Sequence, residues 1–352
     1  MNMKYNAGTG ELKNWLVQEE VFDERCLGKC ESIFAQGNGY LGIRHALEES
    51  YLGETRNTFV TGTFDKAAEE EVTELPNAAD MTGCKIIIDG NELNLAQGNL
   101  HAYTRTLNLK NGEVVRKITW ENPKGVVLDA TFKRFVSLKD EHLMVHSIDL
   151  TFDQEVSLQV ETGIDGSVTN GGAQHFRNLN CRLYNGKEME YLAQTRESKI
   201  WFAHHAVVNV NVETSSIPVM RGRSLKVLHR LQPKAGETIH IEKISLIRTS
   251  RDMKYEGAAE DQIVDLLKQD GQEALRKIEQ NTYEELKQES EKEWKAYWDS
   301  SDIKIQGDDF DQLAIRFALY HLRIMAKADD GRVGVGAKAL TGEGYSGHSF
   351  WD

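Results

Sequence analysis

The chain has 352 residues, 40% hydrophobic and 28% charged with only 4 prolines, and it carries 42 Lys and Arg against 55 Asp and Glu. That length is ample for a sizeable core and calls for about two domains, and the composition excludes disordered and fibrous classes. A net charge of −13 repels phosphate backbones and anionic membranes, so nucleic acid and membrane surfaces are set aside as partners, while a neutral substrate is not repelled.

Met1 to Gly10 is polar and lacks the apolar stretch and small-residue cleavage site of a signal peptide, and no run approaches the roughly 18 apolar residues of a spanning helix. Of Cys26, Cys30, Cys84 and Cys181, only the first two are close. The three residues between them do not match the two-residue gap of a zinc knuckle or a thioredoxin-like motif. Reduced structural thiols in a cytoplasmic protein are expected.

The first patterned segment, Glu31 to Arg44, holds Gly37, Gly39 and Gly42 within six residues. It has the glycine density of a phosphate loop but lacks the lysine and Ser/Thr, and His45 to Ser50 is too short and polar for a helix docked on a phosphate. Close backbone packing is expected instead, with Arg44 tying the segment to a carboxylate.

From about Lys85 to Ile247 the pattern is that of strands. Short, partly alternating runs at Lys85–Asn91, Leu107–Val115, Val126–Phe132 and Leu143–Thr151 are separated by polar turns. Asp89-Gly90, Asn111-Gly112 and Asn185-Gly186 are turn dipeptides, the first two flanked as a hairpin requires. Further strands are expected at Val156–Thr162, Glu190–Ala193, Ile200–Thr214, Ser224–Leu231 and Glu237–Leu246, and together they predict a large antiparallel β-sandwich. Asp165 to Gly172 reads as an ordered turn at a strand end. His204 and His205 are adjacent on a strand, so their side chains point to opposite faces and cannot share a metal ion without distortion.

Near Ser250 the apolar period changes from two to 3.6, and Ile263 through Trp298 predict one or two amphipathic helices on a charged background. Trp294 and Trp298, four apart, are read as core packing against the sandwich. Asp302–Ile305 is strand-like, and a helix from about Phe310 to Ala326 follows, capped by Asp308 or Asp309.

The final stretch is unlike the rest. Gly331, Gly334, Gly336, Gly342, Gly344 and Gly347 fall within seventeen residues, which predicts an irregular loop whose backbone comes close to something. Lys338, Glu343, Tyr345, His348, Trp351 and Asp352 lie in or beside it. A Trp face against a pyranose beside a carboxylate that accepts paired hydroxyl bonds can clamp one hexose, although a buried Trp with a capping Asp satisfies the same two residues.

Ala337 to Asp352 closely resembles the first substrate loop of glycoside hydrolase family 65, whose members are mostly inverting α-glucoside phosphorylases. The resemblance extends through Phe317–Met325 and back to Gln36–Arg44 and Glu74–Asn77, in the family's order, and so covers essentially the whole chain. Its texture is nearest to members acting on kojibiose, with nigerose, glucosylglycerol, trehalose and maltose as alternatives. Ala339 departs from the pattern, which usually has Gly after the Lys or Arg, and Gly334-Val-Gly336 replaces a more Ile-, Ser- or Pro-containing lead-in.

The resemblance implies an N-terminal β-sandwich domain over residues 1–250, a helical linker over 251–305 and the beginning of an (α/α)6 catalytic barrel over 306–352. It implies that Trp351 and Asp352 hold the donor glucose, with His348 and Lys338 as secondary candidates, and that the general-acid Glu lies downstream of Asp352. No catalytic residue is then expected in these 352 residues, and the chain alone is expected to be inactive. No cofactor or metal is expected. The implied partners are a small α-glucoside, inorganic phosphate as co-substrate, and a second copy in a homodimer. The alternative from another class is a non-catalytic carbohydrate-binding or assembly module.

Overall fold

In a computed structural model, which describes residues 3–214 and 216–350, the alternating stretches pair into three antiparallel sheets. In chain order the elements are β1 (Met3–Lys4), β2 (Leu16–Glu19), α1 (Leu27–Ile33), β3 (Gln36–Gly37), β4 (Leu41–Ile43), β5 (Thr58–Val60), β6 (Cys84–Ile88), β7 (Asn91–Glu92) and β8 (Asn99–Asn108). There follow β9 (Glu113–Glu121), β10 (Val127–Val136), β11 (Leu143–Phe152), β12 (Leu158–Asp165), β13 (Phe176–Tyr184), β14 (Glu188–Thr195), β15 (Trp201–Val210), β16 (Ser216–Arg221), β17 (Ser224–Leu231) and β18 (Thr238–Thr249). Three helices close the series: α2 (Glu260–Ile278), α3 (Tyr283–Ser301) and α4 (Asp309–Met325).

A ten-stranded sheet runs β1-β2-β8-β9-β10-β11-β18-β15-β14-β13, a five-stranded sheet β16-β17-β12-β6-β7 lies against it, and β3-β4-β5 forms a small third sheet. Strand parity separates the two faces of the large sheet. On β11, Met144, Ile148, Leu150 and Phe152 enter the main core with Ile86, Ile88, Leu158 and Val160 of the five-stranded sheet. The odd positions Leu143 and Val145 turn the other way and pack, with Ile244 and Leu246 of β18, against Leu275 of α2 and Tyr283 and Leu286 of α3. The large sheet is therefore sandwiched in its middle between a second sheet and the linker helices. Double coverage explains why β11, β15 and β18 are buried along nearly their whole length.

The antiparallel sandwich and the helices α2 and α3 agree with the sequence expectation. Asp89 and Gly90 make a two-residue turn with φ of +48° and +80°, the primed geometry that follows strand twist. The Asn111-Gly112 hairpin has a four-residue loop, since Asn108 pairs with Glu113, and a Cβ on Gly112 would meet the Trp294 ring at 2.9 Å. Trp294 and Trp298 lie in the core formed with Trp15, Leu109, Leu313 and Tyr320, as expected. His204 and His205 point to opposite faces: His204 packs edge-on to Tyr191, and His205 lies so close under α2 that a Cβ on Gly271 would be 2.1 Å from its ring.

Several features depart from the sequence reading: β1 to β5 lie ahead of the expected strand region, and Leu107–Val115 is the end of β8, a turn and the start of β9 rather than one run. Asp302–Ile305 is not a strand; its backbone bonds go to the Gln312 side chain, which accepts from Ile305 N at 2.7 Å and donates to Ile303 O at 2.8 Å. Strand β13 was not anticipated, because as an edge strand it exposes Arg177, Asn178, Asn180 and Arg182 and carries a bulge between Arg177 and Asn180. The N-terminal helix α1 was not anticipated either. α4 starts as expected, with the Asp308 carboxylate accepting from Phe310 N at 2.7 Å, and α3 carries a reciprocal Thr282/Glu285 capping box.

A buried polar layer fixes residues 19–51 on the large sheet. Arg116, fully buried over the Phe132 ring, donates to Glu49 Oε1 at 2.6 Å and Glu48 Oε2 at 2.7 Å. Arg105 pairs with Glu19 at 2.7 Å. This layer holds the Gln36–Arg44 segment in place, and that segment is the floor for the C-terminal loop.

Candidate functional site

The loop that follows α4 is seated on three glycines. Gly39, at φ +93°, donates from its N–H to Ile324 O at 2.9 Å, and a Cβ there would be 2.2 Å from Ala326 O. A Cβ on Gly37 would be 2.9 Å from Ile324 O, and one on Gly42 would be 2.2 Å from the Cβ of Leu340. Only the absence of side chains lets α4 and its loop approach this closely. Arg44 pairs with Glu31 at 2.9 Å, as expected from sequence, and also donates to Thr341 O at 3.2 Å.

From there the chain is tied at each turn. Lys327 bonds Glu141 and Asp329; burial opposes its charge, yet the two carboxylates hold the ammonium above its ordinary pKa. Arg332 grips Asp330 at 2.7 Å and keeps that carboxyl down at about 2. Leu340 inserts between Phe59 and Leu75. Asn57 donates to Glu343 at 2.9 Å. Leu75 N donates to Ser346 O at 3.1 Å, and Ala337 N donates to His348 O at 3.1 Å, which closes the two arms of the loop on each other. Ala339, Tyr345 and Ser346 all have positive φ, +54°, +61° and +56°.

Of the four sequence-predicted site residues, Trp351 and Asp352 lie outside the described residues. His348 stacks on Phe64 at 5.3 Å and its Nε2 donates to Thr73 O at 2.6 Å, so it braces the loop against the sandwich. Lys338 lies 5.7 Å over the Tyr345 ring. Tyr345 and Phe350 form an edge-to-face pair at 5.4 Å, and both are exposed. The sequence reading counted Tyr345 among the unusual residues and held Leu75 within the Glu74–Asn77 resemblance, but missed Asn57 and Phe64, which carry no local signal and act only because the loop folds back on them.

A separate cavity of about 360 Å³ lies where Lys327 and Asp330 face Tyr40, His142 and Asp252. Neither Lys338 nor His348 lines it. Asp252 accepts from Tyr40 at 2.7 Å and lies 3.1 Å from His142 Nε2. Among the described residues, no group of three or more His, Cys, Asp or Glu is placed to hold a metal ion, and no helix is long and apolar enough to cross a membrane.

A mainly β sandwich with helices packed on its large sheet, delivering a glycine-rich loop onto its own N-terminal segment, is the class of architecture these residues define. Residues 17–297 match the model of the glycosyl hydrolase family 65 N-terminal domain, and residues 316–352 match that of the family 65 central catalytic domain. The chain belongs to glycosyl hydrolase family 65. It is 39% identical to the kojibiose phosphorylase of Halothermothrix orenii, over 100% of this chain and 46% of that protein. It is 33% identical to the kojibiose phosphorylase of Escherichia coli, over 96% and 43%, and 30% identical to the α,α-trehalose phosphorylase of Thermoanaerobacter brockii, over 97% and 46%. A solved structure of a candidate kojibiose phosphorylase from the human microbiome superposes with a TM-score of 0.85 at 21% identity, covering 97% of this chain and 46% of that one. The chain spans about half the length of the curated relatives it matches.

Proposed function

We propose that the chain is the N-terminal portion of an inverting disaccharide phosphorylase that cleaves an α-glucoside of the kojibiose type with inorganic phosphate, giving β-glucose 1-phosphate. The observation that carries this is likeness along the whole chain, including the glycine-rich loop, to relatives named as kojibiose phosphorylases. A relative named for trehalose is only modestly less similar, so the linkage is the finer part of the proposal.

In this reading residues 1–250 form the sandwich domain, 251–305 the linker, and 306–352 the start of an (α/α)6 barrel, with the rest of the barrel supplied by further chain. Trp351 and Asp352 hold the donor glucose at the end of the braced loop. The general acid that protonates the leaving oxygen lies in the further chain, while phosphate takes the place of the attacking water. The four free cysteines accord with a reducing cytoplasm, and the working form is a homodimer.

The test is phosphorolysis. A protein of the relatives' full length carrying this chain should release β-glucose 1-phosphate from kojibiose and phosphate, and the 352-residue chain alone should release none. Hydrolysis independent of phosphate, or turnover by the 352-residue chain, would overturn the reading.

A further inference from the structure

Phe64-Asp65 and Thr73-Glu74 are the two arms of a small antiparallel bridge, with Asp65 and Glu74 exchanging backbone hydrogen bonds of 2.9 Å. Each arm offers one residue to each of two histidines. Phe64 stacks on His348 and the Thr73 carbonyl accepts from it. Asp65 and Glu74 point the other way, to His175 just ahead of β13, at 3.1 Å from Nδ1 and 2.8 Å from Nε2. Directly beyond the bridge, Leu75 meets Gly347, where a Cβ would lie 2.6 Å from the leucine side chain. A continuous path of contacts thus runs from His175 through the bridge to His348, three residues before Trp351.

The His175 ring is 2% exposed and has a carboxylate at each nitrogen. A neutral imidazole has one N–H and one lone pair, so only the imidazolium donates to both carboxylates. The charged groups that act most strongly on the ring are Asp65 and Glu74, both of which favour its charged form. Arg196, whose N–H donates to the His175 carbonyl, turns its guanidinium to the Gln174 carbonyl, and the remaining partners of Asp65 are Ser198 and the Glu197 N–H.

We infer that His175 is a positioning residue for the sugar-binding loop: as an imidazolium clasped between Asp65 and Glu74, it holds the strip from Phe64 to Leu75 in the placement on which Gly347 and His348 are seated. The inference rests on the proposed reading of that loop as part of the donor subsite. Burial disfavours the charged ring, but the hydrogen bonds it donates to Asp65 and Glu74 outweigh it and raise the His175 pKa. Asp65 is drawn down to about 2 against its own burial. The clasp is therefore complete below the ordinary histidine value of 6.5 and loosens as pH rises through the raised one.

His175→Gln keeps one donor and one acceptor and cannot carry the charge. Hydrogen exchange on the 352-residue chain should show protection factors in residues 344–350 that fall from about pH 6 to about pH 9, and that in the variant are reduced by roughly tenfold at pH 6 and no longer vary with pH. Strands β11 and β18 should keep their protection. In a protein of the relatives' full length, the same substitution should raise KM for the disaccharide by roughly tenfold while kcat changes by less than about threefold. Unchanged protection in 344–350, or a loss spread over β11 and β18, would overturn the clasp. Loss of protection confined to 344–350 in a protein without phosphorolysis would leave the clasp standing and overturn the donor-subsite reading instead.

Discussion

A Cβ on Gly42 would lie 2.2 Å from the Cβ of Leu340, a residue nearly three hundred positions later in the chain. Leu340 is itself 4% exposed between Phe59 and Leu75, and its carbonyl would be 2.5 Å from the same Cβ, so neither side chain nor backbone has room to give. Gly42→Ala should lower stability by about 1–3 kcal/mol, the range for overpacking, and should expose the 333–350 loop to protease. Urea denaturation and limited proteolysis measure both. A variant as stable and as resistant as the parent would mean that the loop does not sit on this glycine.

Ala339 occupies φ +54°, a conformation in which an L side chain crowds the following carbonyl. Ala339→Gly should raise stability by about 1 kcal/mol, less the few tenths lost to a more flexible unfolded chain. A fall in melting temperature would show that the Ala methyl makes contacts that outweigh the strain.

Among the described residues, Arg116 is the sole cation hydrogen-bonded to the side-chain carboxylates of both Glu48 and Glu49, and all three are buried. Arg116→Met removes the bidentate guanidinium from two buried carboxylates and should cost about 3–5 kcal/mol at neutral pH. Part of that loss should be recovered in acid, where the carboxyls protonate. A loss under about 1 kcal/mol at neutral pH would show that water reaches the pair.

Lys243 is fully buried, and its ammonium donates to Met81 O at 2.8 Å, Thr162 Oγ1 at 3.1 Å and Gly163 O. Burial lowers its pKa to about 8, against the attraction of Asp80. Because the folded pKa lies below the unfolded 10.5, the unfolded chain binds more protons between those values, and this group adds stability as pH rises through that window. Lys243→Met should remove that rise, measured as the difference in unfolding free energy between the two proteins from pH 8 to 10.5. A constant difference across the window would show that Lys243 titrates normally.

Asp352→Ala, in a protein of the relatives' full length, should reduce phosphorolysis by roughly 10- to 100-fold, since a hydrogen bond to a charged group contributes about 1.5–3 kcal/mol. The melting temperature should change little. Near-normal turnover, or a collapse of folding without a specific kinetic loss, would return the Trp351-Asp352 pair to a structural role.

The sequence by itself determined the strand-rich region, the Asp89-Gly90 turn, the switch to helical period near Ser250, an Asp308 or Asp309 cap and the irregular glycine loop, because each of these is a local preference written in neighbouring residues. Polar or very short elements escaped it. β13 turns its Arg and Asn side chains to solvent, and Asp302–Ile305 takes its hydrogen bonds from Gln312 rather than from a strand. The glycine-rich segments at both ends were legible as places of close backbone approach. Only the tertiary structure decided that they approach each other, that Gly37, Gly39 and Gly42 form the floor under Ile324, Ala326 and Leu340, and that His348 bonds Thr73 while the next residue, Glu74, bonds His175. Contacts between residues hundreds of positions apart leave no period in the sequence, because what specifies them is the packing of whole sheets and helices that brings the two segments together.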